Sequence, residues 1–141
     1  MTAMNVFARR GGAWLIADTG QYDADGTIVS FASKIVASER LSLAITRRGR
    51  FEDRATTDIW DWLEAQPDQV RALASLPGLV RLLAEHDREA MANGAAERSG
   101  NLPPGLGLGV AIWDHESSSS KALLVAATPE LAGGVPPFTL R

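Results

Sequence analysis

Ala13-Trp14-Leu15-Ile16-Ala17-Asp18-Thr19-Gly20 is a short apolar run closed by an acid and a turn. It reads as a buried strand that ends at Asp18. Before it, Asn5–Arg9 has strand character, and Arg10-Gly11-Gly12 supplies a hairpin turn because glycine tolerates positive φ. After it, Thr19–Gly26 is polar, with Asp25-Gly26 as a turn signal. Thr27–Val36 is rich in β-formers, and Ser38-Glu39-Arg40 makes the next turn. Leu41–Thr46 then alternates, with Leu41, Leu43 and Ile45 on one face and Ser42, Ala44 and Thr46 on the other. Four strands therefore lead the chain.

Beyond Arg47-Arg48-Gly49-Arg50 the period changes to that of a helix. Thr57 or Asp58 is placed to cap a helix whose Ile59, Trp62 and Leu63 fall at i, i+3 and i+4, and Pro67 ends it. A second helical region opens at Asp68 with Val70, Leu73 and Leu76 on one stripe. Pro77-Gly78 either kinks it or separates it from Leu79, Leu82, Leu83, His86 and Ala90, and Asn93-Gly94 closes it. Glu97–Pro104 is a polar link. Gly105–Trp113 is a strand with Leu106, Leu108, Val110 and Ile112 on one face and Gly107, Gly109 and Ala111 on the other, where something can pack very close. Ser117–Ser120 is a loop tip, Lys121–Ala127 a last strand, and the segment from Pro129 an irregular tail. The order ββββ-αα(α)-ββ predicts an α+β layered sandwich of antiparallel sheet and helices, with residues 1–128 as one domain and 129–141 as its tail.

Composition bounds the function. The chain has 141 residues, is 45% hydrophobic and 22% charged, and carries a net charge of −3. That profile belongs to a globular domain with a core, and gives no electrostatic reason to expect nucleic acid or an anionic membrane as partner. The absence of cysteine excludes disulfides, thiolate metal sites and a cysteine nucleophile. Two histidines, His86 and His115, do not make a multi-histidine metal site, and they read as a helix residue and a loop residue. Gly105, Gly107 and Gly109 alternate within a strand, which is the wrong spacing for a dinucleotide loop. No cofactor or metal is expected. Without a leader or an apolar run of roughly 20 residues, the expected location is the cytoplasm of the producing cell.

Thr2 lies sixteen residues before Asp18, and Lys34 sixteen after it. With Gly49, and with the stretches Ile16-Ala17-Asp18-Thr19-Gly20-Gln21 and Ser33-Lys34-Ile35, these positions give the chain its resemblance to the N-terminal nucleophile (Ntn) hydrolases. It is most similar to the proteasome β-subunit and its bacterial homologue, over Thr2 to about Ala127 and without gaps. The similarity extends to short members opening Met-Thr that phage and prophage genes encode. The resemblance implies a shortened Ntn-hydrolase-like sandwich. In an active member Thr2 would be the nucleophile, its own amine the base once Met1 is removed, Lys34 the group that tunes it, Asp18 the partner of Lys34, and Gly49 the oxyanion donor.

The chain also departs from that pattern. Arg47 and Arg48 place two long cations before Gly49 where the family has small residues, and are expected to obstruct a cleft. The serine of the family's later Gly-Ser-Gly-type motif has no counterpart in Ala132-Gly133-Gly134. The family's later helices and strands are also missing, so one sheet face is expected to lack its helical layer and to meet neighbouring subunits instead. The leading expectation is a non-catalytic structural or assembly subunit of a phage-type particle. It would contact other protein subunits, in a homo-oligomer or larger particle, through that face and a tail bearing Phe138 and Leu140. The alternative is a threonine peptidase or amidohydrolase that uses Thr2.

Overall fold

A computed structural model describes residues 4–22, 27–48, 54–90, 92, 106–128, 134 and 136–140. In chain order the elements are β1 (Met4–Arg9), β2 (Gly12–Ala17), β3 (Gly20–Tyr22), β4 (Ile28–Phe31), β5 (Ile35–Ser38), β6 (Leu43–Arg48), α1 (Arg54–Ala65), α2 (Gln69–Ala90), β7 (Gly107–Asp114) and β8 (Ser119–Ala126). The fold is α+β. β1–β2 and β3–β4 form antiparallel pairs, and β5-β6-β7-β8 form an antiparallel sheet in that order.

Two periodicities build the layers. On β6 and β7, Leu43, Ile45, Leu108, Val110 and Ile112 share one sheet face by alternation, and they join one buried core with Ile59 and Leu63 of α1 and Leu76, Val80 and Leu83 of α2. The helices therefore cover that face. The opposite face carries Gly107, Gly109 and Ala111 and receives the β1–β2 hairpin. A Cβ added to Gly109 would lie 3.2 Å from Met4 Sδ and 3.4 Å from Val6 Cγ1. Only a strand without side chains at those positions lets a second strand pair come so near. The hairpin turns at Arg10-Gly11, with Gly11 at φ +90, and its burial alternates, so that Val6 and Leu15 lean inward while Phe7 and Trp14 point out.

Several boundaries differ from the sequence reading. Thr27–Val36 is not one strand. It breaks at Ala32–Lys34, where Lys34 turns into the protein. β6 begins at Leu43, because Ser42 takes a positive φ of 49 and belongs to the turn. α1 begins at Arg54, so Thr57 and Asp58 lie inside it; Asp58 faces His86 of α2, with Oδ2 3.3 Å from Nδ1. The second helix does open at Asp68, which caps it: Asp68 Oδ1 accepts the Arg71 N–H at 2.8 Å. α2 runs through Pro77 as one 22-residue helix. A proline inside a helix costs about 3 kcal/mol, which the burial of Leu76, Leu79, Val80 and Leu83 around it offsets. Val70 and Leu82, read as part of the apolar stripe, are exposed. The turns at Asp25-Gly26 and Asn93-Gly94 and the link Glu97–Pro104 lie outside the described residues. In the tail, the Phe138 N–H donates to the Ala126 carbonyl at 2.8 Å. Phe138 and Leu140 pack on the chain's own core, and the Arg81 guanidinium stands 5.1 Å from the Phe138 ring centre.

The close approach at Gly109 is testable. Gly109→Val should lift the hairpin and lower stability by about 1–3 kcal/mol in urea denaturation. Gly107→Ala, whose added Cβ would meet Ala126 Cβ at an ordinary 3.7 Å, should change it by less than about 1 kcal/mol.

Candidate functional site

Asp18 follows the last residue of β2 and Lys34 precedes the first residue of β5. Both are therefore held by strand ends rather than by free loops. The Lys34 ammonium is buried, with a side chain only 2% exposed, and lies 2.7 Å from Asp18 Oδ1, whose side chain is 25% exposed. The same nitrogen donates to the Gly20 carbonyl. Two of the three ammonium donors thus have acceptors, one of them charged. A bare ammonium here would cost several kcal/mol in lost hydration; the carboxylate and the carbonyl make its burial tolerable.

The ladders place the flanks of the other two sequence candidates nearby. Met4, two residues after Thr2, pairs with Ala17, the residue before Asp18. Ile35, next to Lys34, pairs with Thr46, and Thr46 pairs with Gly109. A Cβ on Gly109 would touch both Met4 Sδ and, at 3.3 Å, Thr46 Cγ2. Met4, Asp18, Lys34 and Thr46 therefore converge on one end of the sandwich. Thr2 and Gly49 themselves lie outside the described residues. Gly20 is the partner that the sequence reading missed; it acts through its backbone carbonyl, which no residue type signals.

Arg47 corrects an expectation. It shares the face of Leu43 and Ile45 on β6 and is only 1% exposed, so it belongs to the protein interior and does not project into a cleft. Arg48 is exposed. Among the described residues, no group of three His, Cys, Asp or Glu is arranged to hold a metal ion.

The second feature is the outer surface of the hairpin. Phe7 and Trp14 are register partners, and their rings stack with centres 5.5 Å apart and planes 16° from parallel. Phe7, Trp14 and Ile16 are 38%, 44% and 56% exposed. On β4 every residue is exposed, and Phe31 reaches 74%. Among the described residues, no helix is long and apolar enough to cross a membrane.

Compared with family models, with curated proteins and with solved structures, the chain has no significant match.

Removing one partner of the buried pair leaves the other poorly satisfied. Lys34→Met should cost about 2–3 kcal/mol, a value tempered by the partial exposure of Asp18. The Asp18→Asn/Lys34→Met double variant should lose less than the sum of the single losses, with a coupling of at least about 1 kcal/mol in a denaturation cycle. Strict additivity would mean that the two side chains are neighbours without energetic coupling.

Proposed function

We propose that this chain is a shortened Ntn-hydrolase-like sandwich that serves as a non-catalytic structural or assembly subunit of a phage-type particle. The observation that carries this reading is the outer face of the β1–β2 hairpin, where Phe7, Trp14 and Ile16 form an apolar surface, flanked by Asn5 and Arg9, on the side of the molecule away from the helices. Surfaces of this kind mark contact with other protein. The partners are protein subunits, whether copies of this chain or components of a larger particle, and they engage the exposed sheet face and the tail segment 129–141. Phe138 and Leu140 of that tail already pack on the chain's own core, so the hairpin face carries the main contact. A net charge of −3 does not favour nucleic acid, and no membrane enters the reading. The subunit resides in the cytoplasm of the producing cell until it joins the particle. The phage relation rests on the resemblance alone.

The Asp18–Lys34 pair supports a second reading, a threonine peptidase or amidohydrolase. There Thr2 attacks after Met1 is removed, Lys34 tunes the hydroxyl, Asp18 holds Lys34 and Gly49 donates to the oxyanion. For the assembly reading, a pair tying two strand ends needs no chemistry at all.

Two measurements separate the readings. An intact-mass spectrum of the protein from its native source, before and after a β-lactone or epoxyketone probe and with any adduct mapped to its residue, should retain Met1 and gain no adduct at Thr2 if the chain is a structural subunit. Loss of Met1 with an adduct at Thr2 would establish the peptidase instead. Association is the second readout. Trp14→Ser/Ile16→Ser should weaken self-association or particle incorporation at least tenfold in sedimentation velocity while leaving the unfolding midpoint within a few degrees. Unchanged association would remove the hairpin face from the interface. Deleting the tail is a poorer probe, because it also uncovers the core beneath Phe138 and Leu140.

A further inference from the structure

At the opposite end of the sheet from Asp18 and Lys34, two turns meet. Ser42 closes the β5–β6 turn and His115 opens the β7–β8 turn, and Ser42 Oγ lies 2.6 Å from His115 Nε2. Ser42 has a φ of 49, a left-handed conformation usually left to glycine or asparagine. Ser118 in the β7–β8 turn shares this conformation at φ 48, and what sets Ser42 apart is the histidine nitrogen against its hydroxyl.

Both turns are clamped. The Ser42 N–H donates to the Glu39 carbonyl at 3.0 Å, and the Ser42 carbonyl accepts the Trp113 N–H at 2.9 Å. Gln69, the first residue of α2, donates to the carbonyls of Leu41 and Trp113 at 2.7 and 2.9 Å, tying the residue before Ser42 to the strand that delivers His115. On the other turn, Asp114 accepts the N–H of Glu116 at 3.0 Å and the hydroxyl of Ser117 at 2.7 Å, and it pairs with Lys121. Those partners, Lys121 foremost, hold the Asp114 carboxyl well below the ordinary carboxylate range.

Ser42 also borders a groove of 380 Å³ between the hairpin and the sheet. Ala13, Ala44 and Ala111 leave the space open, Trp113 adds an aromatic wall, and Leu43 and Ile112, whose side chains point into the core on the other face, contribute only backbone. An apolar groove with a few polar groups at its edge is the usual form of a small-molecule site.

We propose that Ser42 and His115 form a nucleophile–base dyad that accepts an acyl group from an activated ester or thioester, with the apolar acyl chain lying in this groove. The site is independent of Asp18 and Lys34 and of any role for Thr2, and it goes beyond the assembly reading, in which non-catalytic refers to the Thr2 centre alone. With the ring proton on Nδ1, Nε2 accepts the Ser42 hydroxyl proton as Oγ bonds to the acyl carbon. The alternative acceptor for that hydroxyl, the Glu39 carbonyl, is farther away at 3.4 Å. When the tetrahedral adduct collapses, the bond from carbon to the leaving oxygen or sulfur breaks, and the leaving group takes the proton back from Nε2. Water, deprotonated by His115, then attacks the acyl-serine, and the carboxylic acid departs as the proton returns to Oγ. A positioned base contributes about 10²–10⁴-fold, so acylation rather than rapid turnover is the signal to seek.

The test uses the full chain with p-nitrophenyl butyrate and with a fluorophosphonate, read by intact mass and peptide mapping. The expected result is an adduct on Ser42 that forms at least tenfold faster than on the exposed Ser117 and Ser118. It should be lost in Ser42→Gly, which suits the positive φ and keeps the fold, and slowed at least tenfold in His115→Gln, with folding of both variants confirmed by circular dichroism. Labelling spread evenly over the exposed serines, labelling at Ser42 that ignores His115→Gln, or an adduct confined to Thr2 would each overturn the proposal.

Discussion

A buried ammonium must carry its counter-charge with it, and much of this molecule follows from that requirement at Lys34. Its partners, Asp18 and the Gly20 carbonyl, lie on the segment leaving β2, whereas Lys34 itself leads into β5. One cation therefore fastens the hairpin layer to the edge of the four-stranded sheet. It also accounts for the break between β4 and β5, since a strand running straight through would not bring this side chain to Asp18. The interaction contributes more to specifying this arrangement than to net stability, because desolvating the two charges cancels much of their attraction.

The second constraint is thickness. β7 is large-apolar toward the helices and nearly bare toward the hairpin, so the two faces of one strand set two different layer spacings. Leu108, Val110 and Ile112 interlock with helical side chains, while Gly109 lets Met4 and Val6 come almost to the backbone. The hairpin's inward residues are satisfied by that contact. Its outward residues include Phe7, Trp14 and Ile16 between Asn5 and Arg9, and a two-stranded ribbon has no third layer to bury those three apolar side chains. The exposed patch of Phe7, Trp14 and Ile16 is thus a consequence of a strand pair that carries large apolar side chains on both sides and is covered on one.

The two ends of the sandwich are built by different means. At one end, strand ladders bring Met4, Asp18, Lys34 and Thr46 together, so the geometry is set by register. At the other, turns bring Ser42 to His115, and the geometry is set by side-chain clamps from Gln69 and Asp114. Register is fixed by the pleat and is hard to shift. Clamped turns depend on a few hydrogen bonds each, and single substitutions can release them.

Local patterns in the chain encode the individual elements. The apolar run Ala13–Ala17, the turn glycine at Gly11, the i, i+3, i+4 stripe at Ile59, Trp62 and Leu63, the helix start at Asp68 and the apolar face of Leu108, Val110 and Ile112 are local signals, and each gave its element, although the run reads as buried and Trp14 and Ile16 are exposed. The pairing of Asp18 with Lys34 was legible as two charges at strand ends. Tertiary structure alone decided the rest. Pro77 stays within a helix because burial around it outweighs a local penalty. Arg47 is interior because pairing with β7 extends β6 to Arg48 and so carries Arg47 onto the core face beside Leu43 and Ile45. Phe138 and Leu140 return to the core because an apolar site is available there. Ser42 meets His115 seventy-three residues away because β6 and β7 are neighbours in the sheet. In each case the deciding energy comes from groups distant in the chain, and no local pattern carries that information.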